Sequence, residues 1–280
     1  MRIRISCKIE KFPIIYRHRL LAIIKEALRH SDSQYKEQLY PDKNTELSKR
    51  TKPFTFSISL PKFNSKDTNC GWRKEKFYVD KNYPAVEELV FYFPSSSSLF
   101  WDISSSDNLF IINLYNGLLA MKEFIFDDLN GTTKITFENV FILKEHKINS
   151  NEVIFKTKSP ITIEDKNGTP ILPTQENLVI FNREFNAIHE KILKDLRTNN
   201  KKEKDGLYQE LEFVPLKIKK QVVKHTLTGF REKTGKPYMA LTTFEGCFRL
   251  KGDPRDLQFL YESGIGLRTG QGFGMVEVVR

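Results

Sequence analysis

The end of the chain limits its fold more than any other stretch. Residues 264 to 278 read GIGLRTGQGFGMVEV, so five of the 14 glycines, Gly264, Gly266, Gly270, Gly272 and Gly274, fall within the last 17 positions. Upstream, Asp253-Pro254 predicts a short helix with Asp253 as N-cap, Pro254 at the first helical position, and Leu257, Leu260 and Tyr261 on its core side. Downstream, Met275, Val276 and Val278 read as a last strand. The chain must therefore pass from helix to strand with almost no side-chain bulk, and glycine allows both positive φ and close approach of another backbone. Two readings are open: a flexible turn, or a loop whose N–H groups, together with Arg268, hold the phosphates of a nucleic acid lying across a sheet. The phosphate-binding pattern GxxxxGK[ST] is absent.

The rest of the chain supplies the layers around that loop. Ile3, Ile5, Cys7 and Ile9 alternate with Arg2, Arg4, Ser6 and Lys8, the period of a half-buried strand. RHRLLAIIKEALRHS then places Leu20, Leu21, Ile24, Ala27 and Leu28 at helical spacing. Strands follow at Phe54, Phe56, Ile58 and Leu60, at Phe77 and Val79, at residues 89 to 93 and at 99 to 104. Asn69, Gly71, Arg73, Lys74 and Lys76 read as an exposed turn. A helix over 109 to 125 and a strand over 134 to 145 complete the first unit. The second begins with a strand-like stretch over 153 to 165 and a helix from Glu176 to about Leu196. A solvated loop over 199 to 206 and β-rich stretches at 211 to 222, 223 to 231 and 238 to 251 precede the final helix and strand. The order is β-α-β-β-α-β twice, an α+β chain with domains at 1–149 and 150–280.

Composition narrows the class of partner. Lys and Arg number 45 against 35 Asp and Glu, a net charge of +10 that favours a polyanion. With 39% hydrophobic residues, wholesale disorder is excluded. The three cysteines, Cys7, Cys70 and Cys247, are far apart and form no CxxC pair, which excludes a disulfide framework and a cysteine-rich zinc site. No stretch approaches about 18 uninterrupted apolar residues and the N-terminus lacks an apolar signal region, so a soluble, cytoplasmic protein with no membrane partner is expected.

QGFGMVEV shares a Gly-Phe-Gly core with the RNA-recognition motif, but Gln271 replaces its basic residue and Met275 and Val278 replace the stacking aromatics. The tail resembles instead the glycine-rich loop of CRISPR-associated processing endoribonucleases in the repeat-associated mysterious protein (RAMP) superfamily. Gly264-Ile265-Gly266, the stretch Leu267 to Gln271, Gly272-Phe273-Gly274 and Met275-Val276 fit that loop without a gap. The resemblance extends to Ser159-Pro160-Ile161, to Gly252-Asp253-Pro254, and to the run from Pro13 through the first helix to PFTFS at 53 to 57. It implies two tandem ferredoxin-like (RRM-like, βαββαβ) domains, binding of CRISPR repeat RNA within precursor CRISPR RNA, and one metal-independent cut per repeat. It also leaves room for other CRISPR effector subunits and a homodimer as partners.

In that family a ribose 2′-OH attacks the adjacent phosphate, leaving a 2′,3′-cyclic phosphate and a 5′-OH. The reaction needs a proton acceptor, a proton donor and cations beside the phosphorus. Family enzymes often take these from a tyrosine, a histidine and a lysine. Alignment on Pro13 and PFTFS puts Lys25 at the tyrosine position, Tyr40 at the histidine position and Lys52 on the lysine. Tyrosine and lysine ordinarily titrate near 10, far from a histidine. His30, at the end of the first helix, is a further catalytic candidate or a helix-capping residue. Tyr40, before Pro41, reads equally as a packed turn aromatic. His18 is expected to touch solvent or RNA.

Between Phe213 and Lys236 the cations Lys217, Lys219, Lys220, Lys224, Arg231, Lys233 and Lys236 face one acid, Glu232. Such a run is a solvated face or, on the family's β-hairpin, a grip on the RNA backbone. Neither DxD nor HExxH occurs, and His146, His189 and His225 match no metal spacing, so no metal and no cofactor are expected. A non-cleaving RAMP scaffold that holds RNA and a general basic RNA-binding module are the alternatives to an endoribonuclease.

Overall fold

The computed structural model describes residues 1–42, 45, 50–61, 70–94, 97–128, 131–197 and 204–279. Asn69 of the expected turn and residues 199–203 of the expected solvated loop lie outside them. The first sheet has the order β3-β6-β1-β8-β7, formed by β1 (Arg2–Lys8), β3 (Phe54–Ser59), β6 (Ser98–Ser105), β7 (Glu123–Asp128) and β8 (Gly131–Ile142). Its pairings are antiparallel, with Ile3 opposite Ile103 and Ile5 opposite Trp101. Helices α1 (Arg17–Ser31) and α3 (Asn108–Met121) supply Leu20, Ile24, Leu28, Phe110 and Leu114 to the same core as Ile3, Ile5 and Trp101. A short strand β2 (Lys11–Pro13) joins β4 (Gly71–Phe77) and β5 (Val86–Tyr92) in a small sheet of order β2-β5-β4. Arg73, Lys74 and Lys76 are therefore strand residues and not a turn: Arg73 pairs across to Val90 and Lys74 to Leu89.

The second sheet, β10-β11-β9-β12, is built from β9 (Glu152–Thr157), β10 (Glu212–His225), β11 (Met239–Lys251) and β12 (Val276–Val278). Helices α4 (Leu178–Arg197) and α6 (Pro254–Ser263) share its core, where Phe181, Phe185, Phe213, Phe244 and Phe248 are fully buried. Each large sheet with its two helices repeats the ferredoxin-like order, so the chain is α+β with two such domains in tandem. Asp253 caps α6 as its sequence predicts, accepting from the Arg255 N–H at 2.9 Å. The expected strand over 223 to 231 does not form. β10 runs on to His225, and α5 (Thr228–Thr234) follows, closed by Gly235 in the left-handed region. The helix expected over 109 to 125 stops at Met121 because Glu123–Asp128 pairs with β8. Among the described residues no helix is long and apolar enough to cross a membrane.

The polar face of the first sheet is not solvent-facing. Arg2, Thr55, Ser57, Asp102 and Ser104 are all buried, because elements of the second domain cover them. Arg2 bonds the Tyr261 carbonyl and stacks 3.6 Å above the Tyr261 ring. Ser104 donates to the Glu262 carbonyl and Thr55 to the Phe273 carbonyl, each at 2.7 Å. Asp102 meets Arg4 at 2.6 and 2.9 Å and Lys158 at 2.6 Å. Burial alone would raise the Asp102 carboxyl; its hydrogen bonds from Arg4 and Lys158 hold it below the usual carboxylate range.

The glycine-rich loop lies on this seam. Gly272 has φ +85°, and a Cβ there would enter the Phe56 ring, while a Cβ on Gly270 would stand 2.8 Å from the Lys52 Cβ. Gly272→Ala should cost about 2 kcal/mol or more in urea unfolding, since an alanine is both strained in that region and overpacked. Gly168→Ala, with φ +79° but open space around it, should lose only the conformational part, about 1 kcal/mol. Equal losses in the two variants would show that the Phe56 contact adds nothing.

Candidate active site

A cleft of about 600 Å³ opens between the domains. Its first wall carries Lys25 from the outer side of α1, Tyr40 at the end of α2 (Ser33–Leu39), and Arg50 and Lys52 from the approach to β3. Helix α2 starts at Asp32, whose carboxylate accepts from the Tyr35 N–H at 2.9 Å, and this turn brings Tyr40 back over α1. The opposite wall is Glu164 and the loop from Gly266 to Gln271.

Three of the four catalytic candidates meet here. The Lys25 Nζ lies 4.7 Å and the Lys52 Nζ 5.4 Å from the centroid of the Tyr40 ring, within cation–π range for both. Burial first, then the charges of Lys25 and Arg50, lower the Lys52 ammonium below its ordinary range, with Asp195 opposing. Burial pushes the Tyr40 phenol up, and its hydroxyl has no hydrogen-bond partner among the described residues. Arg268 faces this group from the loop, in the left-handed region at φ 61°, with Glu164 3.5 Å from its guanidinium. His30 is not brought to them. Its Nε2 lies 3.2 Å from Glu26 and 3.4 Å from Arg29 on the exposed end of α1, and it does not line the cleft.

The loop glycines differ from a phosphate cradle. The N–H of Gly264 bonds the Leu260 carbonyl, that of Gly272 the Thr269 carbonyl, and that of Gly274 the Pro160 carbonyl. The Gly266 N–H bonds His189 Nε2 at 2.9 Å. All five glycines are buried, and these four amides are satisfied inside the protein, so the cleft's charge comes from side chains. Of the basic block, Lys217, Lys219 and Lys220 stand exposed on β10. Arg231 is a correction: it sits on α5, buried, bonded to Asp80 and Thr226 at 2.8 and 2.9 Å. Lys224 is ion-paired with Glu88 of β5.

Sequence reasoning missed the histidines behind the loop. His189 Nδ1 lies 2.7 Å from the Phe185 carbonyl while Nε2 accepts from Gly266, which fixes a neutral ring and ties α4 to the loop. Its signal was present in the apolar stripe, one helical turn after Phe185. His225 Nε2 pairs with the Gln271 side chain at 2.9 Å. His18 is half-buried, with its Nδ1 shielded from solvent.

Comparison with known proteins gives one family. The sequence model of the family described as CRISPR associated protein Cas6, C-terminal, matches residues 143–278. The solved structure of a Cas6-related gene product from Pyrococcus furiosus is similar over 100% of this chain and 98% of its own, with TM-score 0.67 and 19% identity. One described as a RAMP protein binding different RNA substrates covers 100% of both chains, at TM-score 0.64 and 18% identity. Another, a CRISPR associated protein Cas6, covers 100% of this chain and 99% of its own, at 0.61 and 21%. No curated protein matches the sequence.

Burial lowers His189 to about 4 and His225 to about 3, and holds His18 well below its ordinary value. The unfolded chain takes up these protons near pH 6.5 and the folded one does not, so stability is complete above that pH and falls as pH drops toward 4. His189→Gln should make the slope of unfolding free energy between pH 6 and 5 shallower by about 1.4 kcal/mol per pH unit. An unchanged slope would mean that His189 does not titrate as a buried neutral ring.

Proposed function

We propose that this chain, a RAMP-type CRISPR-associated protein by its Cas6 C-terminal region and its fold, binds CRISPR repeat RNA and cuts it once per repeat without a metal ion. The supporting observation is the pair of lysines held over one tyrosine ring in a cationic cleft between the domains. On this reading residues 1–149 carry the reacting groups, and residues 150–280 carry the loop and the basic hairpin of β10 and β11. The scissile phosphate lies between Lys25, Lys52 and Arg268. Lys52 in its neutral form takes the proton from the 2′-OH, whose oxygen bonds to phosphorus. The bond from phosphorus to the 5′-oxygen breaks, and Lys25, the more exposed ammonium, gives that oxygen its proton. Arg268 and Arg50 offset the added charge on the phosphorane. Tyr40 works through its ring, which positions both lysine side chains, and His30 stays outside.

A second reading has its own observation: among the described residues no histidine lines the cleft, and the phenol that stands in its place is held protonated. The protein is then a scaffold that retains repeat RNA uncut.

Single-turnover incubation with repeat RNA in EDTA separates the two. We expect cutting in EDTA, none when the scissile nucleotide lacks its 2′-OH, and a rate that rises about tenfold per pH unit across neutrality. Lys52→Ala should lower that rate about 10²-fold and flatten the profile. Tyr40→Phe should stay within about threefold of the wild type because the ring is kept, while Tyr40→Ala should fall well below it. Retention of RNA with no product at saturating protein would establish the scaffold.

A further inference from the structure

β4 ends the sheet β2-β5-β4 among the described residues, and its two faces differ. On one, Phe77 is buried and Arg73 bonds Glu75 at 2.6 Å and stacks 3.9 Å from the Tyr92 ring. On the other stand Trp72, Lys74 and Lys76, which alternate along the strand and are all exposed. Trp72 is 65% exposed, whereas the chain's second tryptophan, Trp101, is completely buried. Across the strand pair, Trp72 meets Phe91, Lys74 meets Leu89 and Lys76 meets Glu87, so Lys74 has no acid directly opposite.

The small sheet is tied to the rest of the molecule through β5 and the segment after β4. Arg231 of α5 bonds Asp80 at 2.8 Å, Lys224 of β10 pairs with Glu88, and the Tyr238 hydroxyl donates to Glu88 at 2.9 Å. The Ile14 N–H donates to the Leu89 carbonyl at 2.9 Å, and Arg19 to the Tyr78 carbonyl at 3.4 Å. A large indole in water, with two exposed ammonium groups on the same strand face, has the composition of a stacking platform. Every base offers a π-face, and Lys74 and Lys76 follow Trp72 along the same face, where the phosphates next to a stacked base would run.

We propose that β4 is a second RNA contact, with Trp72 stacking one unpaired base of the bound strand and Lys74 and Lys76 holding its neighbouring phosphates. The contact lies outside the cleft, adds affinity without choosing the base, and rests on the RNA-binding reading above. Because Trp101 is shielded, quenching of tryptophan emission reports on Trp72 in the full-length protein. Titration with repeat RNA carrying a single-stranded flank should quench the emission. Trp72→Ala should weaken binding of that RNA about tenfold, and Trp72→Phe much less. Lys74→Ala with Lys76→Ala should reduce the salt dependence of binding. A flankless hairpin should bind both the wild type and Trp72→Ala alike. If the wild type binds flanked RNA and Trp72→Ala binds it equally, or if emission is unchanged at saturation, the platform is overturned while RNA binding stands. If the wild type retains no repeat RNA at all, both readings fall.

Discussion

The loop of the second domain can lie this close to the first sheet only because it has almost no side chains to offer. Gly270 lies over Lys52 and Gly272 over the Phe56 ring, at separations that no Cβ tolerates. The opposing surface is polar, and four of its buried side chains are matched: Thr55 by the Phe273 carbonyl, Ser104 by the Glu262 carbonyl, Arg2 by the Tyr261 carbonyl, and Asp102 by Arg4 and Lys158, while the Ser57 hydroxyl has no partner among the described residues. Buried polar groups without such partners would cost about 1–3 kcal/mol each. The cleft follows from this seam, because the loop that closes it is the same loop whose glycine rests on Lys52.

Much of the architecture is legible from periodicity. The alternation of Ile3, Ile5 and Cys7, the helical spacing from Leu20 to Leu28 and the Asp253-Pro254 cap each appear where the pattern puts them. What periodicity does not record is the neighbour. Arg2 and Arg4 read as the wet side of a half-buried strand, and a period of two looks the same whether water or a second domain covers that side. Arg231 likewise reads as one more cation in a basic run. It is buried because Asp80, far away in sequence, supplies its counter-charge, and the local chain turns helical around it.

The site divides in the same way. Lys25, Tyr40 and Lys52 were reached through the positions that the resemblance assigns, and the fold brings the three together. His30 was chosen for its chemistry and its nearness in sequence, but one helical turn points it to Glu26. Of the two readings open for the glycines, a flexible turn or donors to phosphate, the second needs free loop amides. Their amides are instead occupied by Leu260, Thr269, Pro160 and His189. Nothing in a single sequence distinguishes a loop that receives a ligand from one that receives another domain.

The chemistry then depends on how two like charges share one aromatic face. The Tyr40 ring favours both ammonium groups, but burial first, and the charges of Lys25 and Arg50 second, shift Lys52 toward its neutral form. If the two lysines act as one unit on the scissile phosphate, their losses cannot add. Single-turnover rates of the wild type, Lys25→Ala, Lys52→Ala and the double variant measure this directly. The account predicts a double variant no slower than the slower single variant by more than about threefold. A double variant whose loss equals the product of the two single losses would contradict it.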